Sequence, residues 1–385
     1  MIQRDTRKEI NIYATILFSV GIMLRFLVMT MGHNYDFDSY QIVGEIVSRG
    51  GNVYAETTRY NYGFFFFLIQ GLGYLFTSHF PEIAADMYRV YIVSVLSLTD
   101  IGIALYLFKK KGPTISLLFF LNPISIIITG YHNQFDNIAV LFSLLAAETL
   151  DDRESFSQRD IISITLFTFG LITKHIMAFF FMWLLISRRF PNIKKRIAYS
   201  CLPPAMFLIS FVPFAVHNAE AREGIINNVF LYRSYNNYPL LRSLLKIVSI
   251  PEKYYFFLFV VIIVLLGFLS RKMTIQKGLL LYLASLVTFS SAIANQYLII
   301  PLAALVLFDR KVFYWLYTFI GFIYCILNGN ELHLAERFIG KFPFAEAQIR
   351  ALAAEGGLSV SLMTYVLLAF IFVFVMSNGR QCGGE

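Results

Sequence analysis

Two carboxylates stand two residues apart directly after the first apolar stretch of the chain, at Asp36 and Asp38. A carboxylate in such a position can act as a general base, and a pair of carboxylates can bind a cation. Acidic residues also occur where a helix ends in a solvated loop, so the residue types alone leave both interpretations open. Residues 40–48 alternate apolar and polar types in a way that predicts a short amphipathic helix.

A second polar cluster interrupts apolar sequence between residues 121 and 140. It includes His132, Gln134 and Asp136 and follows Gly130, which permits a turn. His132 and Asp136 are four residues apart and share one face if this segment is helical. An ordinary turn is the alternative, but so dense a polar cluster at the end of an apolar run favours a site whose groups have partners.

Lys174 and His175 break a run that is otherwise apolar. Either two short helices meet there, or a titratable pair is buried and available to pair with a phosphate. The alternative is a lysine whose side chain reaches back to the membrane surface. Arg25 has the same two interpretations, because it lies near the outer end of the first apolar run. Asp100 lies in the middle of a run and is predicted to be a structural hydrogen-bonding group.

Weaker candidates lie in two later loops. Arg233 and Asn236 stand among tyrosines, and tyrosine and asparagine suit the apolar faces and hydroxyls of a sugar. The same mixture is typical of aromatic residues at a membrane surface. Gln296 separates two apolar runs, and a tight turn explains it equally well.

These residues must be positioned by apolar helices. The chain has 385 residues, of which 57% are apolar and only 15% are charged. A soluble domain carries about a quarter charged residues, so lipid must cover much of this surface. A membrane-spanning helix needs roughly 20 apolar residues, and we predict an all-α, polytopic transmembrane bundle. The predicted spans, about twelve in number, are residues 10–31, 86–108, 113–130, 137–150, 160–173, 174–186, 197–217, 253–270, 278–292, 296–308, 312–327 and 359–377.

The distribution of Lys and Arg predicts the orientation. If residues 63–77 do not span and both termini are cytoplasmic, more than half of the 32 Lys and Arg residues fall in short cytoplasmic loops. We therefore predict that 63–77 is a half-buried helix in a long first external loop. This topology places every polar cluster described above on the external face. It also predicts one membrane domain, residues 1–385, with external loops at 32–85, 218–252 and 328–358.

Other features narrow the functional classes. The net charge of +8 does not indicate nucleic-acid binding, because the basic residues lie in short loops where they set topology. The three cysteines are scattered and predict neither a disulfide framework nor a metal site. The first apolar run lacks a small-residue cleavage site, so we expect a retained helix. The chain has no Asn-x-Ser/Thr sequence, which favours a prokaryotic source.

The first external loop resembles that of a known enzyme family. The segment from Asp36 to Phe66 is similar to the first luminal loop of GT-C fold glycosyltransferases, above all the catalytic subunit of GPI mannosyltransferase I and its bacterial mannosyltransferase relatives. Leu121 to Asn137 resembles the second luminal motif of that family. Where the family usually has proline, this chain has Val53 and Gly63. The matching residues of the first loop are Asp36, Asp38, Gly51, Tyr54, Thr58, Arg59, Tyr60 and Tyr62.

The resemblance implies a transferase that moves a sugar, with mannose expected, from a dolichyl- or undecaprenyl-phosphate donor to an acceptor hydroxyl outside the cytoplasm, with inversion. Asp36 fits the family's catalytic base and Asp38 its neighbour. The acceptor is a glycan, a glycolipid or a protein. The resemblance implies no metal cofactor, although a divalent cation stays open. The family pattern does not assign Lys174, His175 or Arg233, which are candidates on charge alone. The full set of candidate substrate and lipid-phosphate contacts is Arg25, His33, Arg59, Tyr60, His132, Gln134, Asp136, Lys174, His175, Arg233, Asn236 and Gln296.

The expected location is the plasma membrane of a prokaryote, or the endoplasmic reticulum membrane if the source is eukaryotic. A flippase or transporter for lipid-linked sugars is the first alternative, but transporters usually hold their titratable groups near the midplane, between paired halves. A polymerase of surface polysaccharide is the second. The sequence does not distinguish mannose from glucose, galactose or arabinose.

Overall fold

The fold is helical throughout the part of the chain that the computed structural model describes, which is residues 2–150, 153, 155–190, 192–232, 238–245, 250–327 and 356–379. No strand occurs in these ranges, which confirms the predicted all-α class. The α-helices are α1 Ile2–Met29, α2 Tyr35–Ser48, α3 Val53–Glu56, α4 Phe64–Thr77, α5 Ala84–Lys111, α6 Pro113–Phe120, α7 Pro123–Ile127, α8 Asp136–Thr149, α9 Gln158–Thr173, α10 Phe180–Ile186, α11 Ile193–Ile209, α12 Val212–Ala215, α13 Ala219–Gly224, α14 Pro239–Leu245, α15 Tyr255–Ser270, α16 Ile275–Phe289, α17 Leu302–Leu307, α18 Lys311–Leu327 and α19 Gly356–Gly379. Short 3-10 helices are Pro81–Ile83, His175–Met177, Glu252–Tyr254 and Asn295–Ile299, and π-helices are Ile128–His132 and Ile225–Phe230.

Among the described residues, four helical segments are long and apolar enough to cross a membrane. Two further pairs of helices meet the same criteria only when joined across a bend, which raises the number of candidate spans to six. The structure therefore supports a membrane protein, while the count of about twelve spans stays a prediction. The four segments are Pro81–Lys111, Ile193–Ala215, Glu252–Ser270 and Val360–Asn378; the bent pairs are Pro113–Phe120 with Pro123–His132 (47°) and Gln158–Thr173 with His175–Ile186 (120°).

The residues at both bends, Asn122 and Lys174, are buried inside the protein. At the first bend, Asn122 accepts a hydrogen bond from the backbone N–H of Ile124 and donates to the hydroxyls of Tyr314 and Thr318. At the second, Lys174 has extended backbone angles and ends α9. Irregular backbone at membrane depth is tolerated only where protein buries it.

In the predicted first external loop, residues 32–85, the first helix starts five residues earlier than the sequence predicted. Helix α2 starts at Tyr35, whereas the sequence predicted a helix over 40–48, so Asp36 and Asp38 lie in its first turn and not in a preceding loop. Carboxylates are favourable there because the backbone N–H groups of a helix N-terminus carry partial positive charge. Helix α4 has 14 residues and packs against α2. Its length of about 21 Å is shorter than the roughly 30 Å hydrocarbon core, in keeping with the predicted half-buried helix.

A buried ion pair fastens α9 to α11 at the end of α9 that is remote from Lys174. Lys195 Nζ lies 2.9 and 3.1 Å from the two carboxylate oxygens of Asp160, and both side chains are fully buried. The Tyr199 hydroxyl donates to the same carboxylate, and Ser157 caps the helix beside it. Removal of one partner from such a pair leaves an uncompensated charge, which is more costly than removal of both.

We expect Lys195→Met to destabilise the protein by about 3–5 kcal/mol, because it leaves Asp160 buried without its cation. The double variant Lys195→Met with Asp160→Leu is expected to recover most of the loss. Thermal unfolding in detergent measures both effects. Arg242→Ala is the control, since Arg242 pairs with Glu252 at the surface and such pairs contribute less than about 1 kcal/mol. Equal losses in all three variants would contradict this account.

Candidate functional site

The second polar cluster is built on an irregular segment between α7 and α8. Residues Ile128–His132 form a π-helix, a form that occurs often at functional sites, and Asn133 then adopts a left-handed conformation with φ of 54°. The Asn133 amide supports this turn by donating to the carbonyls of Thr129 and Gly130 at 3.1 and 3.0 Å. The prediction that His132 and Asp136 share a helix face is therefore wrong, because the chain changes direction between them.

This segment meets the first external loop at Asp36. Gln134 Nε2 donates to Asp36 Oδ2, and Asn34 Nδ2 lies 3.4 Å from the same oxygen. Asp36 Oδ1 accepts no hydrogen bond from the described residues, and the side chain is half-buried. One carboxylate oxygen is thus held in place while the other is available, which is the arrangement that a general base requires. Asn34 is not among the predicted site residues, although it stands in the same polar cluster as Asp36.

The Asp38 side chain points in a different direction from that of Asp36. Residues two apart on a helix do not face each other, so Asp36 and Asp38 do not converge. Asp38 Oδ1 lies 3.7 Å from His33 Nδ1, and these side chains are 48% and 36% exposed. Within the described ranges no group of three or more His, Cys, Asp or Glu is placed to hold a metal ion.

Lys174 is buried and paired. Its ammonium lies 2.5 Å from Asp136 Oδ2, 4.7 Å from the centre of the Phe135 ring and 5.2 Å from that of Tyr62, and the residue is only 4% exposed. The alternative in which this lysine reaches the membrane surface is therefore wrong. Of the two carboxylate oxygens of Asp136, Oδ1 is buried and has no partner among the described residues.

Two buried tyrosines, Tyr40 and Tyr62, are close enough to Asp36 and Asp136 to be affected by their charges. Burial raises the pKa of Tyr62, and the negative charges of Asp36 and Asp136 raise it further, so its phenol stays protonated. Burial and the same two carboxylates also raise the pKa of Tyr40. Tyr62, Asp36 and Asp136 therefore belong to one polar site. We call it the external site, after the face on which the sequence predicts it to lie, and it consists of Asp36, Gln134, Asp136, Lys174, Tyr40 and Tyr62. Tyr62 stands in the stretch that carries the family resemblance, whereas no sequence signal singled out Tyr40.

Several other predicted residues border the external site. His132 Nε2 lies 3.2 Å from Asn295 Nδ2, which brings the 3-10 helix that contains Gln296 close to the cluster. The His175 ring centre lies 6.1 Å from that of Tyr62. Arg59 stacks its guanidinium 4.2 Å from the centre of the Tyr35 ring. Tyr60 is buried and donates to a backbone carbonyl, while Arg233 and Asn236 lie outside the described residues.

Arg25 does not belong to the external site. It is fully buried, and its guanidinium lies 2.9 Å from Asp100 in α5. The prediction that Arg25 contacts substrate is corrected on this point, because a buried guanidinium requires a partner of opposite charge and Asp100 provides it. The prediction that Asp100 is a structural hydrogen-bonding group is confirmed.

Comparisons with known proteins do not identify a family for this chain. No protein-family model matches the chain, and no match was found among curated proteins or among solved structures.

The first external loop docks against the end of α9 through Gly63. A Cβ atom at this position would lie 2.4 Å from the carbonyl oxygen of Ile172, two residues before Lys174. The close approach of the two backbones therefore needs a residue without a side chain. It places Tyr62, the preceding residue, next to the Lys174 ammonium.

We expect Gly63→Ala to lower the thermal unfolding midpoint, with a loss of about 1–3 kcal/mol from the steric conflict with Ile172. Gly278→Ala is the matched control. Gly278 lies in α16 with no heavy atom within 4 Å of the added Cβ, so alanine is expected to stabilise by about 0.5–1 kcal/mol. Opposite signs for the two variants support the close approach. A neutral or stabilising Gly63→Ala would contradict it.

Proposed function

We propose that the protein is an integral membrane glycosyltransferase that moves a sugar, with mannose the first candidate, from a polyprenyl-phosphate donor to an acceptor hydroxyl. The observation that carries this proposal is the carboxylate of Asp36. Gln134 holds its Oδ2, its Oδ1 accepts no hydrogen bond from the described residues, and it lies in the first turn of a helix and not in a loose loop. A sugar hydroxyl is a poor nucleophile, and a positioned base makes it a better one.

The proposed step is a single inverting displacement. Asp36 Oδ1 takes the proton of the acceptor hydroxyl as the acceptor oxygen forms a bond to the anomeric carbon of the donor sugar. The bond between that carbon and the phosphate oxygen breaks, and the electron pair leaves with the polyprenyl phosphate. The proton on Asp36 then returns to solvent. No redox change and no second cosubstrate is needed.

The departing phosphate needs a cation, and we consider two candidates, Lys174 and Arg59. Lys174 is buried and already paired with Asp136. Arg59 is only half-buried, lies over the ring of Tyr35 next to Asp36, and has no carboxylate partner among the described residues. Arginine also matches a phosphate with two parallel hydrogen bonds. We therefore assign the phosphate contact to Arg59 and the alignment of Asp136 to Lys174.

The proposal includes the membrane arrangement. The chain crosses the bilayer about twelve times with both termini in the cytoplasm, and the external site faces the extracytoplasmic or luminal side. A lipid-linked donor keeps its tail in the bilayer and its phosphate at the surface, so a site between helices at this depth suits it. The acceptor is a glycan, glycolipid or protein hydroxyl. We propose no metal cofactor.

A flippase or transporter for lipid-linked sugars remains the alternative. Transport is usually coupled to titratable groups near the membrane midplane. In this protein the buried pair of Arg25 and Asp100 has its hydrogen bonds filled by neighbouring side chains and carbonyls. This arrangement favours a structural role for the pair and the enzyme over the transporter.

We expect Asp36→Asn to abolish transfer while the protein still inserts and folds, because asparagine keeps the shape and loses the basic oxygen. The measurement offers a panel of radiolabelled polyprenyl-phosphate sugars and native membrane acceptors to wild type and variant. Asp38→Asn is the matched control and is expected to retain most activity, since Asp38 faces His33 near the surface.

Transfer by wild type and Asp38→Asn, but not by Asp36→Asn, supports the assignment and identifies the donor. Full turnover in Asp36→Asn would contradict the assignment of Asp36 as the general base. If no protein transfers sugar but all three move labelled donor into sealed vesicles, the transporter becomes the better proposal.

We expect Arg59→Ala to raise the KM for the donor by about tenfold to a hundredfold, since a hydrogen bond to a charged group contributes about 1.5–3 kcal/mol. Arg49→Ala is the control in the same loop, because Arg49 is exposed and pairs with Glu56. Steady-state kinetics with varied donor at saturating acceptor measures both. An unchanged KM in Arg59→Ala would return the phosphate contact to Lys174.

A further inference from the structure

The charged pair in the interior has an unusual set of partners. Asp100 Oδ2 accepts hydrogen bonds from Arg25 Nε at 3.0 Å, from Thr129 Oγ1 at 2.6 Å and from Ser125 Oγ at 3.3 Å, while Asn137 Nδ2 donates to Oδ1 at 2.5 Å. All five side chains are buried. The carboxylate thus joins α5 to α1, to α7 and the π-helix, and to α8.

Two of these donors, Thr129 and Asn137, lie at the two ends of the segment that contains Gln134 and Asp136 of the external site. Thr129 lies in the π-helix, five residues before Gln134, and Asn137 directly follows Asp136. Gln134, which holds Asp36, and Asp136, which holds Lys174, therefore lie in a segment whose two ends are bonded to the same carboxylate. We call Arg25, Asp100, Thr129 and Asn137 the clamp.

The clamp has a second contact through the backbone of α1. A Cβ atom on Gly130 would lie 2.4 Å from the carbonyl oxygen of Arg25, so α1 and the π-helix touch directly. The Arg25 guanidinium also donates to the carbonyls of Gly21 and Phe120, each at 3.0 Å, and to Ser125 at 2.8 Å. Arg25 is therefore anchored to three helices at once, and Asp100 cannot shift without breaking several bonds.

We propose that the clamp is a positioning device that sets the place of Gln134 and Asp136, and so of the Asp36 carboxylate. Arg25, Asp100, Thr129 and Asn137 do not touch the Asp36 side chain. They act through the loop by fixing both of its ends. The catalytic part of this inference rests on the proposed function, whereas the structural part does not.

The physical reason is the depth of the loop. A loop within an apolar bundle must have its polar groups satisfied, and a buried carboxylate with four donors does so in one defined geometry. A misplacement of about 1 Å at a reacting group can cost a hundredfold in rate. A clamp that is merely structural would change overall stability, whereas a positioning clamp changes local order and turnover first.

The test uses a matched pair at one end of the loop. Thr129→Val keeps the shape and removes the hydroxyl, while Thr129→Ser keeps the hydroxyl and removes the methyl. Asn137→Leu tests the other end independently. Hydrogen exchange measured by mass spectrometry on the full chain in nanodiscs compares residues 128–138 with 275–289 in α16, and the transfer assay gives kcat and KM.

We expect Thr129→Val and Asn137→Leu to exchange at least tenfold faster in 128–138 and no faster in 275–289. Their kcat is expected to fall by about tenfold to a hundredfold with the donor KM changed less than about threefold. Thr129→Ser is expected to resemble wild type in every readout. Ser143→Ala, which removes a buried hydroxyl bonded to Ala139 within α8, is the second control and is expected to do the same.

Exchange in 128–138 that is equal in Thr129→Val, Asn137→Leu and wild type would overturn the clamp. Faster exchange with unchanged kcat would overturn its positioning role. If wild type transfers no sugar, the proposed function fails, yet the exchange measurement still decides whether the clamp orders the loop. The two failures are therefore distinguishable.

Discussion

The carboxylate of Asp100 is the constraint on which the packing of α1, α5, α7 and α8 depends. A charge in the interior of an apolar bundle is stable only with a full set of partners, and here arginine, threonine, serine and asparagine side chains provide them. Because arginine does not lose its proton in proteins, Arg25 equally requires Asp100. The pair therefore determines how α1 and α5 meet the segment from Thr129 to Asn137.

A second buried pair, Lys174 with Asp136, lies within the external site. Lys174 ends α9, turns the chain through a sharp bend and pairs with Asp136, so the break in this helix and the start of α8 are joined by charge. The first external loop then packs on the same place, where Gly63 allows its backbone to reach Ile172. The external site thus results from two loops that are held by different helices and meet at the hydrogen bond between Gln134 and Asp36.

The apolar runs predicted the helical fold class, and the distribution of Lys and Arg placed the polar clusters on one face of the membrane. Of the candidate residues in these clusters, the structure brings Asp36 to Gln134 and Lys174 to Asp136. The sequence analysis failed where a contact depends on a partner that is distant in the chain. Arg25 was assigned to the surface because its partner, Asp100, is 75 residues away and no local pattern pairs them. The π-helix was also not predictable, because its Gly130 packs directly against the backbone of Arg25 in α1, which is distant in the chain.

The choice between Asp36 and Asp38 as the proposed base depends on the residue at which α2 begins. In a loop, both carboxylates could face one cation or one substrate. In a helix that starts at Tyr35, they point about 160° apart around the helix axis, so only one of them can face Gln134. A base on the first turn of a helix also keeps its direction better than one on a loop. In the proposed mechanism, the start of α2 therefore selects Asp36 over Asp38 as the base, and we infer that the buried pairs keep Asp36 aligned.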